Sequence, residues 1–247
     1  TKEHYRKSVT HPDMVDDEYF YHIQQPFAVR AAVHVASLFS GRAFVANSAT
    51  EKNFTAEAGN YRIIHLGTHT QINNISPLLS RLVLTKDTLG DDEGNDGYLH
   101  AYEIYNMRLR AELAVLTACE TGVGKHSASE GMQSLAHSFA YAGCPSIVMS
   151  LWQIDEQTSS GIVEGFYGYL SKGYSKNDAL RRAKLDYLDG HSGDLVVPYY
   201  WSGLVLVGDV SPIGKEAGSW WFFVMMGLVA LVVVWMLVGG SLRSRRR

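Results

Sequence analysis

A chain of 247 residues, 46% of them apolar, has room for one large domain or two small ones, and without its last stretch the remainder suits a single α/β unit. A net charge of −3 with interspersed signs leaves no basic stripe, which removes electrostatic support for nucleic-acid binding and points to protein or peptide partners. Two cysteines cannot build a disulfide framework, and their contexts argue against pairing with each other.

The chain starts at Thr1 with no initiator methionine or signal-like segment, as a processed product or a fragment would. Residues 1–25 are polar, rich in Tyr and His, and lack periodicity, which suits a linker, an interaction arm or the remnant of an upstream domain. Pro26 then opens FAVRAAVHVASLF, a helix stopped by Gly41, and residues 42–46 read as a strand followed by a short helix near 51–56. Residues 61–66 and 113–117 are short, β-rich and almost uncharged, as strands covered on both faces should be. Within 81–99 two short strands flank DTLGDDEGNDG, a solvated turn without the ligand spacing of an EF-hand. Helices near 130–142, 156–170 and 176–188 separate strands at 146–150 and 202–207. This alternation predicts a mostly parallel sheet flanked by helices.

The far end differs. Residues 220–238, WWFFVMMGLVALVVVWMLV, carry no charge, and at about 1.5 Å per residue they reach about 28 Å, enough to cross a bilayer. Tryptophans near the start, with Arg243, Arg245, Arg246 and Arg247 past the end, are interfacial features. They predict a single-pass transmembrane helix in contact with lipid, a cytoplasmic basic tail over 239–247, and a juxtamembrane linker over 211–219.

Two strand-like runs end on reactive side chains. YRIIHLGTH leads to His69 and LAVLTACETG to Cys119. A free thiol is only a few per cent thiolate at neutral pH, and an imidazole that takes or balances its proton makes it a nucleophile. Open α/β sheets build sites at the carboxyl ends of their strands, so two residues distant in sequence can meet there. The turn Glu120–Gly124 after Cys119 would let backbone N–H groups approach an oxyanion. Other readings fail on spacing. His65 and His69 lie on a strand-like run with Leu66 where a zinc protease has its Glu, so His65 reads as structural. GVGKHS lacks the first glycine and the hydroxyl residue of a phosphate loop. Cys144, in YAGCPSIVMS, reads as a small buried residue.

The succession IIHLGTH, then DGYLHAYEIYNMRLRAELAVLTACETGVG, then SEGMQSLAHSFAYAGCPSIVMSLWQID, then PYYWSGLVLVGD resembles the CHAT family of caspase-like proteins across residues 26–210. The resemblance implies the fold shared by caspases, separases and gingipains, and cysteine endopeptidase activity without metal or organic cofactor. It assigns His69 as general base and Cys119 as nucleophile. It also makes the backbone N–H groups of Cys119 and of the residue after the histidine an oxyanion hole. That residue, commonly Gly in the family, is Thr70 here. Relatives that cut after Arg or Lys use a pocket carboxylate, which nominates Asp155 with Trp152 as a wall, while Asp155 is equally suited to cap the helix starting near Glu156. The resemblance further suggests an upstream helical-repeat domain or an activating partner. Two alternatives stay open: a non-catalytic signalling or assembly module, and a thiol acyl transferase.

Overall fold

The computed structural model describes residues 25–73, 75–86, 95–117, 128–152 and 154–214. The chain divides into two units, Thr1–Ile213 and Gly214–Arg247, and every element below belongs to the first. Residues 220–238 lie outside the described residues, among which no helix is long and apolar enough to cross a membrane.

Strands β1 (Ile63–Leu66), β5 (Leu113–Leu116), β6 (Ser146–Ser150) and β7 (Leu204–Gly208) form one sheet in the order β1-β5-β6-β7. The first three run parallel and β7 is antiparallel. Every residue of β5 and β6 is buried, because helices cover both faces and no position can be polar without a partner. On one face Ala114, Leu116, Ile147 and Met149 pack under helix α4 (Ala128–Tyr141) through Leu135 and Phe139. On the other, Leu113, Val115 and Val148 meet helices α1 (Pro26–Leu38), α5 (Glu156–Ser171) and α6 (Lys176–Asp189) through Val35, Phe166, Tyr167 and Ala183. The outcome is a mixed α/β fold with a parallel-rich sheet between helical layers. The departure at β7 has a simple cause: two helices, α5 and α6, pack against each other after β6 and return the chain to the edge it left, so the last strand comes back reversed.

A second sheet, β2 (His69–Gln71), β3 (Arg81–Val83) and β4 (Tyr98–His100), is antiparallel throughout. Thr70, Leu82 and Leu99 share its inner face, each with 0% exposure. Burying each leucine contributes about 1.5–3 kcal/mol against about 1 kcal/mol for one ladder hydrogen bond. The inner face therefore sets the register, and a one-residue slip would turn both leucines to solvent. Short helices α2 (Glu51–Glu57), α3 (Ala101–Tyr105) and α7 (Pro198–Trp201) connect these parts.

Residues 42–46 do not form the strand their composition suggests. They run without a ladder into a 3-10 turn at Ala46–Ser48, because a cavity separates them from the outer edge of β1 and a strand needs a backbone partner. The far end of the sheet is stapled instead. The buried Lys176 donates to Ser146 Oγ at 2.9 Å and to Asp209 Oδ2 at 3.0 Å, and this ammonium helps hold the Asp209 carboxyl below its usual range. Gly208, at φ +99°, must be glycine, since a Cβ there would lie 2.0 Å from the Pro145 carbonyl oxygen.

Glu51 is the costly residue of this core. It opens α2 with 3% exposure and accepts from the Gly97 N–H at 3.3 Å. Burial, then the nearby Glu103 carboxylate, push its carboxyl up to about 7, against the pull of the Gly97 bond. Between pH 4.5 and 7 the unfolded chain gives up this proton while the folded chain keeps it, so stability falls as pH rises through that window. Glu51→Gln, which keeps the acceptor and removes the charge, should raise the urea midpoint at pH 8 and leave it nearly unchanged at pH 5. Equal midpoints at pH 8 would contradict this account.

Candidate active site

The site begins with the register of β1 on β5. Leu66 pairs with Leu116, and the next residue, Thr117, donates its N–H to the Leu66 carbonyl at 3.1 Å. The two strands therefore leave the sheet side by side. His69 stands three residues past Leu66 and Cys119 three past Leu116. Cys119 itself, with the turn that follows it and the GVGKHS segment, lies outside the described residues.

Between Leu66 and His69 the chain passes a narrow junction. A Cβ on Gly67 would lie 3.0 Å from the Ala28 side chain and 3.4 Å from both His65 Nε2 and Thr117 Oγ1, so a larger residue would require its neighbours to give by a few tenths of an ångström. Thr68 then donates its hydroxyl to the Val83 carbonyl, tying the exit to the second sheet. His69 accordingly opens β2 rather than closing the parallel strand, because the hydroxyl bond and the Leu82 and Leu99 face draw residues 68–71 onto β3.

Pairing fixes which way each residue faces. His69 sits opposite Val83 and Tyr98, on the face away from Thr70, Leu82 and Leu99. The imidazole is half-buried, with Nδ1 out of solvent contact. Thr70 is fully buried on the inner face, so its β-branched side chain stands away from the face that carries His69. The Leu84 N–H bonds the Gly97 carbonyl, which assigns the backbone groups of residues 82 and 84 to β4 and those of 81 and 83 to β2. By the same alternation Thr70 directs its own N–H and C=O away from β3, off the outer edge of the sheet.

Three neighbours on the His69 face gave no motif in the sequence. Arg81 donates through Nε to the Gln71 side chain and lies 3.6 Å above the Tyr98 ring. A period-2 count across 69–71, 81–83 and 98–100 would have put these side chains on one face, had the register been known. His65, the other histidine of the run, points at Tyr167, whose hydroxyl is 3.3 Å from Nδ1. Burial pushes its imidazole down to about 4, so it stays neutral at physiological pH. No group of residues that could hold a metal occurs among the described residues.

Trp152 and Asp155 follow β6, the strand beside β5, at the same carboxyl edge. Trp152 donates Nε1 to the Tyr199 carbonyl at 2.9 Å and faces the Tyr199 ring at 6.4 Å. Gly203 makes room for it, since a Cβ there would lie 2.8 Å from the indole. Asp155 is the N-cap of α5: Oδ1 accepts the Thr158 N–H at 2.9 Å, and the rest of the residue is exposed. The next residue serves another helix. Pro26 brings α1 no N–H, and the two following donors, Phe27 and Ala28, bond Glu156 Oε1 at 3.0 and 3.1 Å. A helix start without a capping side chain of its own was the sequence signal for this partner. Cys144 is buried and bonds the Ser146 carbonyl at 3.3 Å, and burial pushes its thiol up, the opposite of what a nucleophile needs.

A family model described as CHAT domain matches residues 12–209. No curated protein matches the chain.

The cap predicts a separation of effects at Asp155. Asp155→Ala should cost about 0.5–2 kcal/mol of stability in denaturant unfolding, while Asp155→Asn, which keeps an acceptor for Thr158, should stay within a few tenths. A loss as large in the Asn variant would mean that charge rather than capping holds α5 at this point.

Proposed function

The chain belongs to the CHAT family, and from that premise we propose that it is a caspase-like cysteine endopeptidase working through Cys119 and His69. The observation that carries this reading is the in-register pairing of Leu66 with Leu116, because both reactive residues follow those strand ends by the same three-residue interval. The outward face of His69 and the clamp of its backbone on Val83 support it further.

The reaction has two halves. His69 takes the thiol proton of Cys119, the sulfur attacks the peptide carbonyl carbon, and the carbonyl π electrons move to oxygen. The tetrahedral oxyanion collapses to a thioester as the C–N bond breaks, and the imidazolium gives its proton to the leaving amine. Water then attacks the thioester with His69 as base, releasing the acid and restoring the thiol. Backbone N–H groups of Thr70 and Cys119 stabilise the oxyanion in both halves. The Thr70 side chain is buried on the sheet face opposite His69. No metal or organic cofactor enters these steps.

Asp155 and Trp152 flank the substrate at the end of β6, where a carboxylate would favour Arg or Lys before the cut. Residues 220–238 tether the enzyme as a single-pass helix with a cytoplasmic basic tail. Their support is composition: an uncharged apolar run between tryptophans and arginines.

A peptidyl electrophile should label the purified chain at Cys119. Cys119→Ala and His69→Ala should each reduce cleavage of a peptide library by a factor on the order of 10⁴ without moving the unfolding midpoint. Undiminished proteolysis in Cys119→Ala would overturn the assignment.

A further inference from the structure

The pairing of β2, β3 and β4 puts Gln71, Arg81, Tyr98 and His100 on the same face of the second sheet as His69. Arg81 is held from two directions. Its Nε donates to the Gln71 side chain, and its guanidinium carbon lies 3.6 Å from the centre of the Tyr98 ring, so the cation rests on the ring. The side chain is half-buried, and among the described residues it enters no ion pair and its two Nη groups have no acceptor. The acids of the adjoining segments are engaged elsewhere. Asp96 Oδ1 accepts the Tyr98 N–H at 2.8 Å, while Glu103 Oε2 accepts the His100 N–H at 2.7 Å and lies 3.3 Å from His100 Nδ1. A guanidinium fixed at Nε and stacked on a ring still offers its Nη pair to both oxygens of a carboxylate, and little further ordering is needed when one arrives.

We propose that Arg81 is a specificity residue that takes an acidic side chain, Asp or Glu, at the second or third residue after the cut. The proposal rests on the endopeptidase reading, in which His69 returns its proton to the leaving amine. That step places the first residue after the cut beside His69. The order of the main sheet then gives the substrate its direction. β6, with Trp152 and Asp155 past its end, lies on one side of β5, and β1, which leads to His69, lies on the other. Residues before the cut therefore lie toward β6, and residues after it run over the His69 face of the second sheet. Gln71 is two positions from His69 along β2, about 7 Å, and Tyr98 is two strands across, about 10 Å. An extended peptide rises about 3.3 Å per residue, so the Arg81 guanidinium between Gln71 and Tyr98 is two or three residues away from the cut. An acid there supplies the counter-charge that Arg81 lacks among the described residues. A basic side chain would meet like charge and be refused.

A peptide library with Asp, Asn or Lys fixed at the second and third residues after the cut tests this on the full chain. Here kcat/KM should fall about tenfold or more from Asp to Asn, and further to Lys. In Arg81→Gln the three sets should be cleaved alike, and in Arg81→Glu the order should reverse in favour of Lys, a change that impaired folding does not produce. Cleavage by the native chain with equal kcat/KM for Asp and Asn would overturn the proposal and leave the endopeptidase reading standing. Binding of the same sets to Cys119→Ala, read by fluorescence anisotropy, needs no turnover. The Asp set should bind tighter than the Asn set, by a margin that adding Arg81→Gln removes. That margin without cleavage of any peptide by the native chain would overturn the reaction and leave the acidic subsite. Absence of both would overturn the two together.

Discussion

The parallel pairing of Ile63–Leu66 with Leu113–Leu116 is the contact around which the rest is arranged. β5 is buried along its whole length, so each of its backbone donors and acceptors must find a partner in a neighbouring strand. That requirement leaves little freedom in register. Once Leu66 lies opposite Leu116, the chain leaves both strands at one edge, and β6 on the far side of β5 delivers Trp152 and Asp155 to the same edge. The segments that lead to His69, Trp152 and Asp155 thus leave the sheet at one edge because of the core beneath them.

Two helices also begin at that edge, and consecutive acids serve them. Asp155 caps α5, and Glu156 closes the unbonded donors of α1. Carboxylates at helix N-termini are worth about 0.3–1 kcal/mol each when exposed and up to about 2 when partly buried. Each acid is offset by a helix end, so the edge is not a bare negative patch. Phe27 and Ala28 are held to Glu156 from the far side of the sequence, which also keeps Ala28 against Gly67.

Much of this was legible in the residues. LAVL and SIVMS could be read as covered strands because they are short, uncharged and mostly apolar runs bounded by turn residues. Pro26 and Asp155 mark the starts of α1 and α5 through backbone chemistry that is local in sequence. What escaped depends on partners distant along the chain. Residues 42–46 have strand composition but no ladder, since the place beside them holds a cavity. His69 could be singled out by residue type, yet its facing outward follows from Thr70 meeting Leu82, a pairing no local pattern encodes. The Arg81, Gln71 and Tyr98 contacts on its face are hidden for the same reason. Cys119 lies outside the described residues, so for the thiol the sequence and its spacing from Leu116 remain the whole argument.

The short path from Leu66 to His69 carries a genetic consequence. Its first end is fixed by the Leu66 register and its second by the Val83 pairing, so its length is set by the fold at both ends. A missense change at Thr68 deletes one hydroxyl bond and leaves the count intact. An in-frame insertion of one codon at 67–68 would instead exchange the faces of the next residues, turning the imidazole into the leucine core and a threonine toward the surface. Position 68 therefore tolerates an altered letter better than this stretch of the gene tolerates an altered length.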